Sequence, residues 1–150
     1  MAVRGDNMTE FIDDLRPVKE YFAKLNDIEN IQAAYLFGSH ASGKANRLSD
    51  LDLAILLREE KNQSEIKLNV LKELTELGYD NIDLVILNNL SIVAKYEVVK
   101  HNNLLYAAED FEPNSYFSLT IRKYLDFKPY LKVQQKYLKE KILNDQDGQS

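Results

Sequence analysis

The chain has 150 residues, of which 45% are hydrophobic and 29% are charged, a composition typical of one soluble globular domain. Its formal net charge of −5 argues against direct nucleic-acid binding in a long groove, because such a groove needs a basic stripe to neutralise phosphates. The absence of cysteine excludes disulfides and thiolate metal sites, and the absence of a signal-peptide pattern or an apolar run of about 18 residues predicts a cytoplasmic protein without membrane contact.

The N-terminal part of the chain is predicted to be a loose segment followed by a helix. Residues 1–8 show no periodicity and are expected to form a flexible leader. Apolar residues then recur at helical spacing from Phe11 to Leu25. Pro17 lies inside this pattern, so we expect a kink or two short helices.

Three apolar runs, separated by helical patterns, predict an α/β (α+β) domain with a small central sheet and helices packed on one side of it. A single domain is expected over residues 9–143, with a tail over 144–150. The expected strands are 31–37, 51–57 and 82–87, with a short additional strand at 103–107. The expected helices are one from an N-cap at Ser64 to about Leu77 with Gly78 as its stop, one that Ser91 caps, and one from Asn114 that Pro129 interrupts.

A polar motif joins the first two predicted strands. Gly38-Ser39 ends the first apolar run, and Asp50-x-Asp52 opens the second after ten intervening residues. Side chains at positions i and i+2 of a strand point to the same face, so Asp50 and Asp52 are expected to converge. Two adjacent carboxylates suit Mg²⁺, while a glycine followed by a serine suits the close approach of phosphate. The motif therefore predicts a site for a metal-bound nucleoside triphosphate.

Two cations lie in the loop between the serine and the aspartates. Lys44 and Arg47 are both within reach of a group bound at Ser39. One interpretation is that both are solvated loop charges. The other is that one of them contacts the phosphates of the bound nucleotide, and both are kept as candidate nucleotide-binding residues.

A third acid, Asp83, lies within the predicted strand 82–87, next to residues that belong in a core. A buried carboxylate without a partner is costly, so Asp83 is expected to meet a metal ion or a hydrogen-bond donor. The alternative is an aspartate on an edge strand that faces solvent.

The Gly38-Ser39 pair, the ten-residue spacing and Asp50-x-Asp52, between an aromatic entry and an aliphatic exit, resemble the signature of the DNA polymerase beta-type nucleotidyltransferase superfamily. The short chain resembles the minimal nucleotidyltransferases (MNT), the antitoxins of HEPN–MNT toxin–antitoxin pairs, over about residues 31–130. The resemblance implies a polymerase beta-like fold with a small mixed sheet. It also places Asp83 where the superfamily carries the third acid of its metal site.

The same resemblance implies an activity. AMP would be transferred from ATP to a tyrosine hydroxyl of a cognate HEPN ribonuclease toxin, which is inactivated, and the chain would form a hetero-oligomer with that toxin. Asp50, Asp52 and Asp83 would be the catalytic acids and would hold two Mg²⁺ ions. Gly38 and Ser39 would grip the phosphates so that pyrophosphate leaves from a fixed position.

Two other functions stay open at this point. The chain could neutralise its toxin by steric binding alone, or it could be a small-molecule adenylyltransferase of the aminoglycoside-modifying type that works with a separate substrate-binding subunit. The three acids count against a purely steric role, because a relic site has no reason to keep them near one point.

Overall fold

The computed structural model describes residues 15–25, 30–38 and 51–148, which contain both helices and strands. Within these ranges four strands are present, close to the four that the sequence predicts, and the third ends one residue early. In chain order the elements are α1 (Arg16–Leu25), β1 (Ile31–Phe37), β2 (Leu51–Leu57), α2 (Gln63–Glu76), β3 (Ile82–Ile86), a 3₁₀ turn (Leu87–Asn89), α3 (Ile92–Val99), β4 (Leu104–Ala107) and α4 (Pro113–Gly148).

The four strands form one mixed sheet in the order β3-β2-β1-β4. β1 runs antiparallel to both of its neighbours, β2 and β4, whereas β2 and β3 are parallel and are joined through α2. β2 is a central strand, and its sequence LDLAILL is apolar at nearly every position because both of its faces are covered. The α+β architecture predicted from the sequence is confirmed.

Helices cover both faces of the sheet. The first core lies between the sheet and helices α1 and α2, and the second lies between the opposite face and helices α3 and α4. Alternate residues of β2 serve the two cores, with Leu53 and Ile55 in the first and Ala54 and Leu56 in the second. The prediction of helices on one side is wrong, because nearly continuous apolar strands need cover on both faces.

The end of α2 is set by a glycine, as predicted. Gly78 has a φ of 104°, a conformation that residues with a side chain rarely adopt. The N–H of Gly78 donates to the carbonyl of Thr75 at 3.0 Å, and the N–H of Tyr79 donates to the carbonyl of Leu74 at 3.2 Å. These two bonds form a Schellman motif, which satisfies carbonyls that the helix leaves without partners.

The helix starts agree with the sequence at α3 but not at α2. The hydroxyl of Ser91 accepts the N–H of Ala94 at 3.2 Å, so Ser91 is the N-cap of α3 as predicted. Ser64 lies inside α2, whose N-cap position is taken by Asn62 with a φ of 55°. The prediction of a Ser64 cap is wrong because asparagine tolerates this left-handed conformation and lets the helix begin earlier.

Helix α1 is the described part of the predicted N-terminal helix. Pro17 is its second residue, in the first turn, where the N–H that proline lacks would have no partner in any case. Val18 and Phe22, four residues apart, are fully buried in the first core. The leader and the predicted helical residues before residue 15 lie outside the described residues.

The last helix is longer than predicted. α4 runs from Pro113 to Gly148, so it includes residues that the sequence assigns to a tail, and Pro129 lies inside it. The predicted interruption at Pro129 is wrong. A proline removes one backbone hydrogen bond from a helix, yet the helix continues through Pro129, which is exposed. Within the described residues, no helix combines the length and the apolar character that a membrane crossing requires.

Candidate active site

Three neighbouring strands bring one end of the motif next to the third acid. Phe37, the last residue of β1, is registered opposite Asp52 near the start of β2. Asp52 is registered in turn with Asp83 on the parallel strand β3. Registered partners project their side chains to the same face, with strands about 4.8 Å apart. The two carboxylates therefore lie side by side at one end of the sheet.

These acids share a face with the second core. Leu51 and Leu53, the neighbours of Asp52, are buried in the first core, and Ala54, two residues further on, is buried in the second. Asp52 is half-buried and Asp83 is exposed. The acids are thus placed where the second core gives way to solvent, with apolar packing behind them and open access in front.

Gly38 leaves room for the side chain of Asp52. The backbone of Gly38 has a φ of 74°, which favours glycine, and a Cβ built on it would overlap the Oδ2 atom of Asp52. The Asp52 carboxylate therefore occupies the space that a side chain at position 38 would need. From the sequence, Gly38 is expected to allow the close approach of phosphate. The structure gives it a further role, since it makes room for an acid of the site.

Asp83 occupies a different environment from the one expected. β3 is an edge strand of the sheet, and Asp83 is exposed on it. The structure agrees with the alternative of an edge-strand aspartate that faces solvent, and the expectation of a buried side chain is wrong, because the strand order leaves the carboxylate hydrated. Asp83 is both exposed and registered with Asp52, so it is accessible to a group that approaches from outside.

The described residues of the site supply only part of the ligand set that a hard cation needs. Among residues 15–25, 30–38 and 51–148, no group of three His, Cys, Asp or Glu side chains is positioned to hold a metal ion. Asp52 and Asp83 supply two adjacent carboxylates, the type of ligand that Mg²⁺ prefers. The remaining predicted site residues, Ser39, Lys44, Arg47 and Asp50, lie outside the described residues.

One buried tyrosine and one half-buried tyrosine pack against the same face of the sheet. Tyr35 on β1 is fully buried, and its ring centroid lies 6.4 Å from that of Tyr116 on α4. Burial, and then the neighbouring Tyr116, raises the pKa of the Tyr35 hydroxyl well above its usual value. Burial also raises the pKa of Tyr116 to about 12. Both phenols are neutral at ordinary pH, so they act as packing residues behind the acids.

The opposite end of the sheet is held by polar contacts that the sequence did not reveal. The side-chain amide of Asn88 accepts the N–H of Leu57 at 2.8 Å and donates to the carbonyl of Leu57 at 2.9 Å. Arg58 makes two hydrogen bonds to the carboxylate of Asp110, at 2.6 and 2.8 Å, and these lower the pKa of Asp110. These contacts fix the end of β2 that lies away from Asp52.

Known proteins share this architecture. A protein adenylyltransferase MntA from Aphanizomenon flos-aquae (strain 2012/KM1/D3) is 34% identical over 91 residues, which cover 55% of this chain and 61% of that protein. The chain therefore aligns with about three fifths of that relative's length.

Solved structures extend the likeness over most of the chain. A chain from the crystal structure of a toxin–antitoxin with AMP-PNP has a TM-score of 0.58 at 24% identity, covering 91% of this chain and 98% of its own length. A chain from the re-refined structure of tri-AMPylated Shewanella oneidensis HEPN toxin in complex with MNT antitoxin has a TM-score of 0.60 at 18% identity, covering 89% and 98%. At these identities the likeness establishes a shared fold.

A family model covers the sheet and the site. The model for polymerase beta, nucleotidyltransferase, matches residues 18–111, which is more than half of the chain and spans every strand described above. The registered aspartates and the glycine beside them all fall within the matched region. The fold, the placement of the acids and this match agree, and the chain belongs to the polymerase beta nucleotidyltransferase family.

Proposed function

We propose that this chain is an antitoxin that acts as an enzyme, transferring AMP from ATP to a tyrosine hydroxyl of a cognate HEPN ribonuclease toxin. The observation that carries the proposal is the registry of Asp52 with Asp83, beside the glycine that makes room for Asp52. Membership of the nucleotidyltransferase family supports the reaction type. The relative described as a protein adenylyltransferase and the toxin–antitoxin structures with the same fold support the choice of acceptor.

The acids define the chemical centre of the proposed reaction. Asp52 and Asp83, together with Asp50, would hold Mg²⁺, which when bound neutralises the triphosphate and aligns an in-line attack. Asp52 is backed by the second core and by Gly38, so its carboxylate has little freedom to move. A fixed ligand of this kind contributes by positioning, because it loses little conformational freedom when the nucleotide binds.

Asp83 is suited to meet the acceptor. The tyrosine oxygen forms a bond to the α-phosphorus of ATP, the bond from that phosphorus to the bridging oxygen breaks, and pyrophosphate leaves. The phenolic proton passes to the Asp83 carboxylate, which lies exposed on the edge strand. A protein-sized acceptor needs such access, since a tyrosine on a folded surface cannot enter a closed cavity.

The phosphates would be held at the end of β1. Gly38 has no side chain to block the approach of a phosphate, and we assign Ser39, Lys44 and Arg47 to the same task. In this arrangement pyrophosphate leaves beside cations and backbone amides, while the acceptor approaches from the side of β3.

Intact-mass measurement of the candidate toxin tests the proposal. A candidate HEPN-domain toxin is incubated with catalytic amounts of the chain, ATP and Mg²⁺, and we expect a gain of whole AMP units on tyrosine. Asp52→Asn should abolish the gain. Asp80→Asn, which changes an exposed acid just before β3, is the matched control and should leave it intact.

The same experiment separates the remaining functions. Toxin activity that falls to zero only at equimolar chain, with no dependence on ATP and with Asp52→Asn still effective, would establish steric inhibition. AMP transfer to an aminoglycoside but not to the HEPN protein would establish a small-molecule adenylyltransferase.

A further inference from the structure

The second half of α4 extends away from the rest of the domain. In its first half the helix packs on α3, where the rings of Tyr124 and Tyr96 stack with their centroids 3.9 Å apart. This packed region ends at Phe127, which is half-buried, and a long exposed stretch follows it. From Lys128 to Leu143, the segment that we call the arm, every residue except Leu131 is exposed. At 1.5 Å per residue, these 16 residues are about 24 Å long.

The arm continues the apolar stripe of the packed half. Phe117 and Tyr124 lie on the packed face, and Leu131 and Leu138 follow on the same face at the same seven-residue spacing. Ile142 extends this ridge, and a second ridge, formed by Tyr130, Val133 and Tyr137, runs beside it. The arm's large apolar side chains are exposed by half or more: Tyr130 68%, Val133 67%, Tyr137 62%, Leu138 55%, Ile142 57% and Leu143 50%. All of these except Leu143 lie on the two ridges, and an exposed apolar surface of this size marks a binding surface.

The arm is basic, although the chain as a whole is acidic. It carries five lysines (128, 132, 136, 139 and 141) and one glutamate (Glu140), a net charge of +4 in a chain whose total is −5. At 100° per residue, four of these lysines lie on the side opposite the two ridges, and Lys141 lies between the ridges. A surface that covers the stripe would therefore need acidic groups to meet Lys141 and the lysines at the margins.

A second copy of the chain does not fit this surface. Pairing two arms would bring ten lysines together, with Lys141 near the middle of the contact, and like charges that are desolvated together are costly. The rest of the domain offers little apolar surface for the stripe. Outside α4, the large hydrophobic residues exposed in the described ranges are Leu68 and Leu77.

A lipid surface fits the arm poorly as well. A helix that lies in a membrane interface presents one continuous apolar face, whereas Gln134 and Lys141 separate the two ridges of the arm. Heptad-like spacing is instead the pattern by which one helix packs against another.

We propose that the arm is the docking element for a different protein, one that presents an apolar helical surface with acidic groups to meet Lys141 between the ridges and the lysines at the margins. Resting here on the proposed function, that protein is the HEPN toxin that accepts AMP. Docking and chemistry then use different residues, since the arm binds the toxin while the tyrosine is modified at Asp83 on β3. No residue of the arm belongs to either of the two described cores, so substitutions in the arm should leave the domain folded.

Binding measured without nucleotide tests the proposal. The 150-residue chain is titrated with the candidate HEPN-domain toxin, by calorimetry without ATP or Mg²⁺. The double variant Leu138→Glu with Ile142→Glu places two charges on the stripe and should weaken binding by about 100-fold or more. Leu68→Glu with Leu77→Glu makes the same change at exposed leucines on and beside α2, and it should bind as the unchanged chain does. Circular dichroism and thermal melting establish that both variants are folded.

The outcomes are distinct. Equal binding by the arm variant and the unchanged chain, or the absence of any binding, would overturn the proposal. A concentration-dependent dimer of the chain alone that the arm variant abolishes would assign the surface to a second copy. Co-sedimentation with phosphatidylserine vesicles that the arm variant abolishes would assign it to a membrane. If the toxin binds through the arm but gains no AMP, docking stands and the proposed enzymatic function fails.

Discussion

The carboxylate of Asp52 lies in the space that a Cβ on Gly38 would occupy, so these two residues are sterically matched across β1 and β2. Gly38→Ala must displace that carboxylate and also holds alanine at a φ of 74°. We expect a loss of about 1–3 kcal/mol in the free energy of unfolding, with loss of nucleotidyl transfer. Urea denaturation and intact-mass assays of the toxin measure the two effects.

Gly78→Ala is the matched control for that prediction. Gly78 has a φ of 104°, but nothing lies within 4 Å of a Cβ built there. The backbone strain should again cost about 1–3 kcal/mol of stability, while transfer by the folded protein is unchanged. Equal activity losses in the two variants would show that the Gly38 effect is a general consequence of destabilisation.

The acids should be dispensable for folding but required for binding of nucleotide with metal. Asp83 is exposed on an edge strand, so Asp83→Asn should change stability by no more than about 0.5 kcal/mol. Mg²⁺ and ATP at about 100 times their dissociation constant should stabilise the unchanged chain by about 2.7 kcal/mol, and Asp52→Asn should remove most of that gain. A full ligand-induced rise in melting temperature in Asp52→Asn would show that this carboxylate is not a metal ligand.

The end of β2 away from the acids should be a determinant of stability and not of activity. Asn88→Ala leaves the N–H and carbonyl of Leu57 without their side-chain partner, and we expect a loss of about 1–3 kcal/mol. Asn89, which pairs with Gln63 in an exposed position, is the control, and its alanine variant should lose much less stability. Chemical denaturation measures the stability of the two alanine variants. Comparable losses of stability would contradict the role assigned to Asn88.

The buried tyrosines predict a loss of stability at high pH. The pKa of Tyr116 rises to about 12 in the folded chain and that of Tyr35 also rises, while the usual value is about 10. Above pH 10 the unfolded chain releases these protons and the folded chain keeps them, so stability is fully present below about pH 10 and declines as pH rises toward 12. Tyr116→Phe should flatten this decline in urea midpoints measured from pH 8 to pH 11.5. An unchanged slope would indicate that Tyr116 ionises equally in both states.

Some features of this protein have a local signal in the sequence. Gly78 and Ser91 were predicted as helix boundaries because each acts on backbone groups within a few residues of itself. The strands were predicted because an apolar run of suitable length is visible without knowing its neighbours. The capping residue of α2 was missed, since Asn62 works through its backbone conformation and makes no side-chain cap.

Other features depend on how distant segments pack. The pairing of Asp52 with Asp83 joins strands separated by the whole of α2, and their register follows from the packing of that helix. The exposure of Asp83 follows from strand order, which places β3 at an edge. Neither fact is written in the residues next to Asp83, so the sequence leaves a buried acid and an exposed edge-strand acid both open.

The registry of β2 with its neighbours restricts how this strand can change in length. Odd-numbered residues of β2 face the first core and even-numbered ones face the second, with Asp52 among the latter. Insertion of one residue between Asp52 and Leu53 would exchange the two sets, turning the aspartate toward the apolar layer under α1 and α2. Insertion of two residues would restore the alternation. The effect of a change in the length of this strand should therefore depend on whether the number of inserted residues is odd or even. Insertion of an even number should be far less damaging than insertion of an odd number.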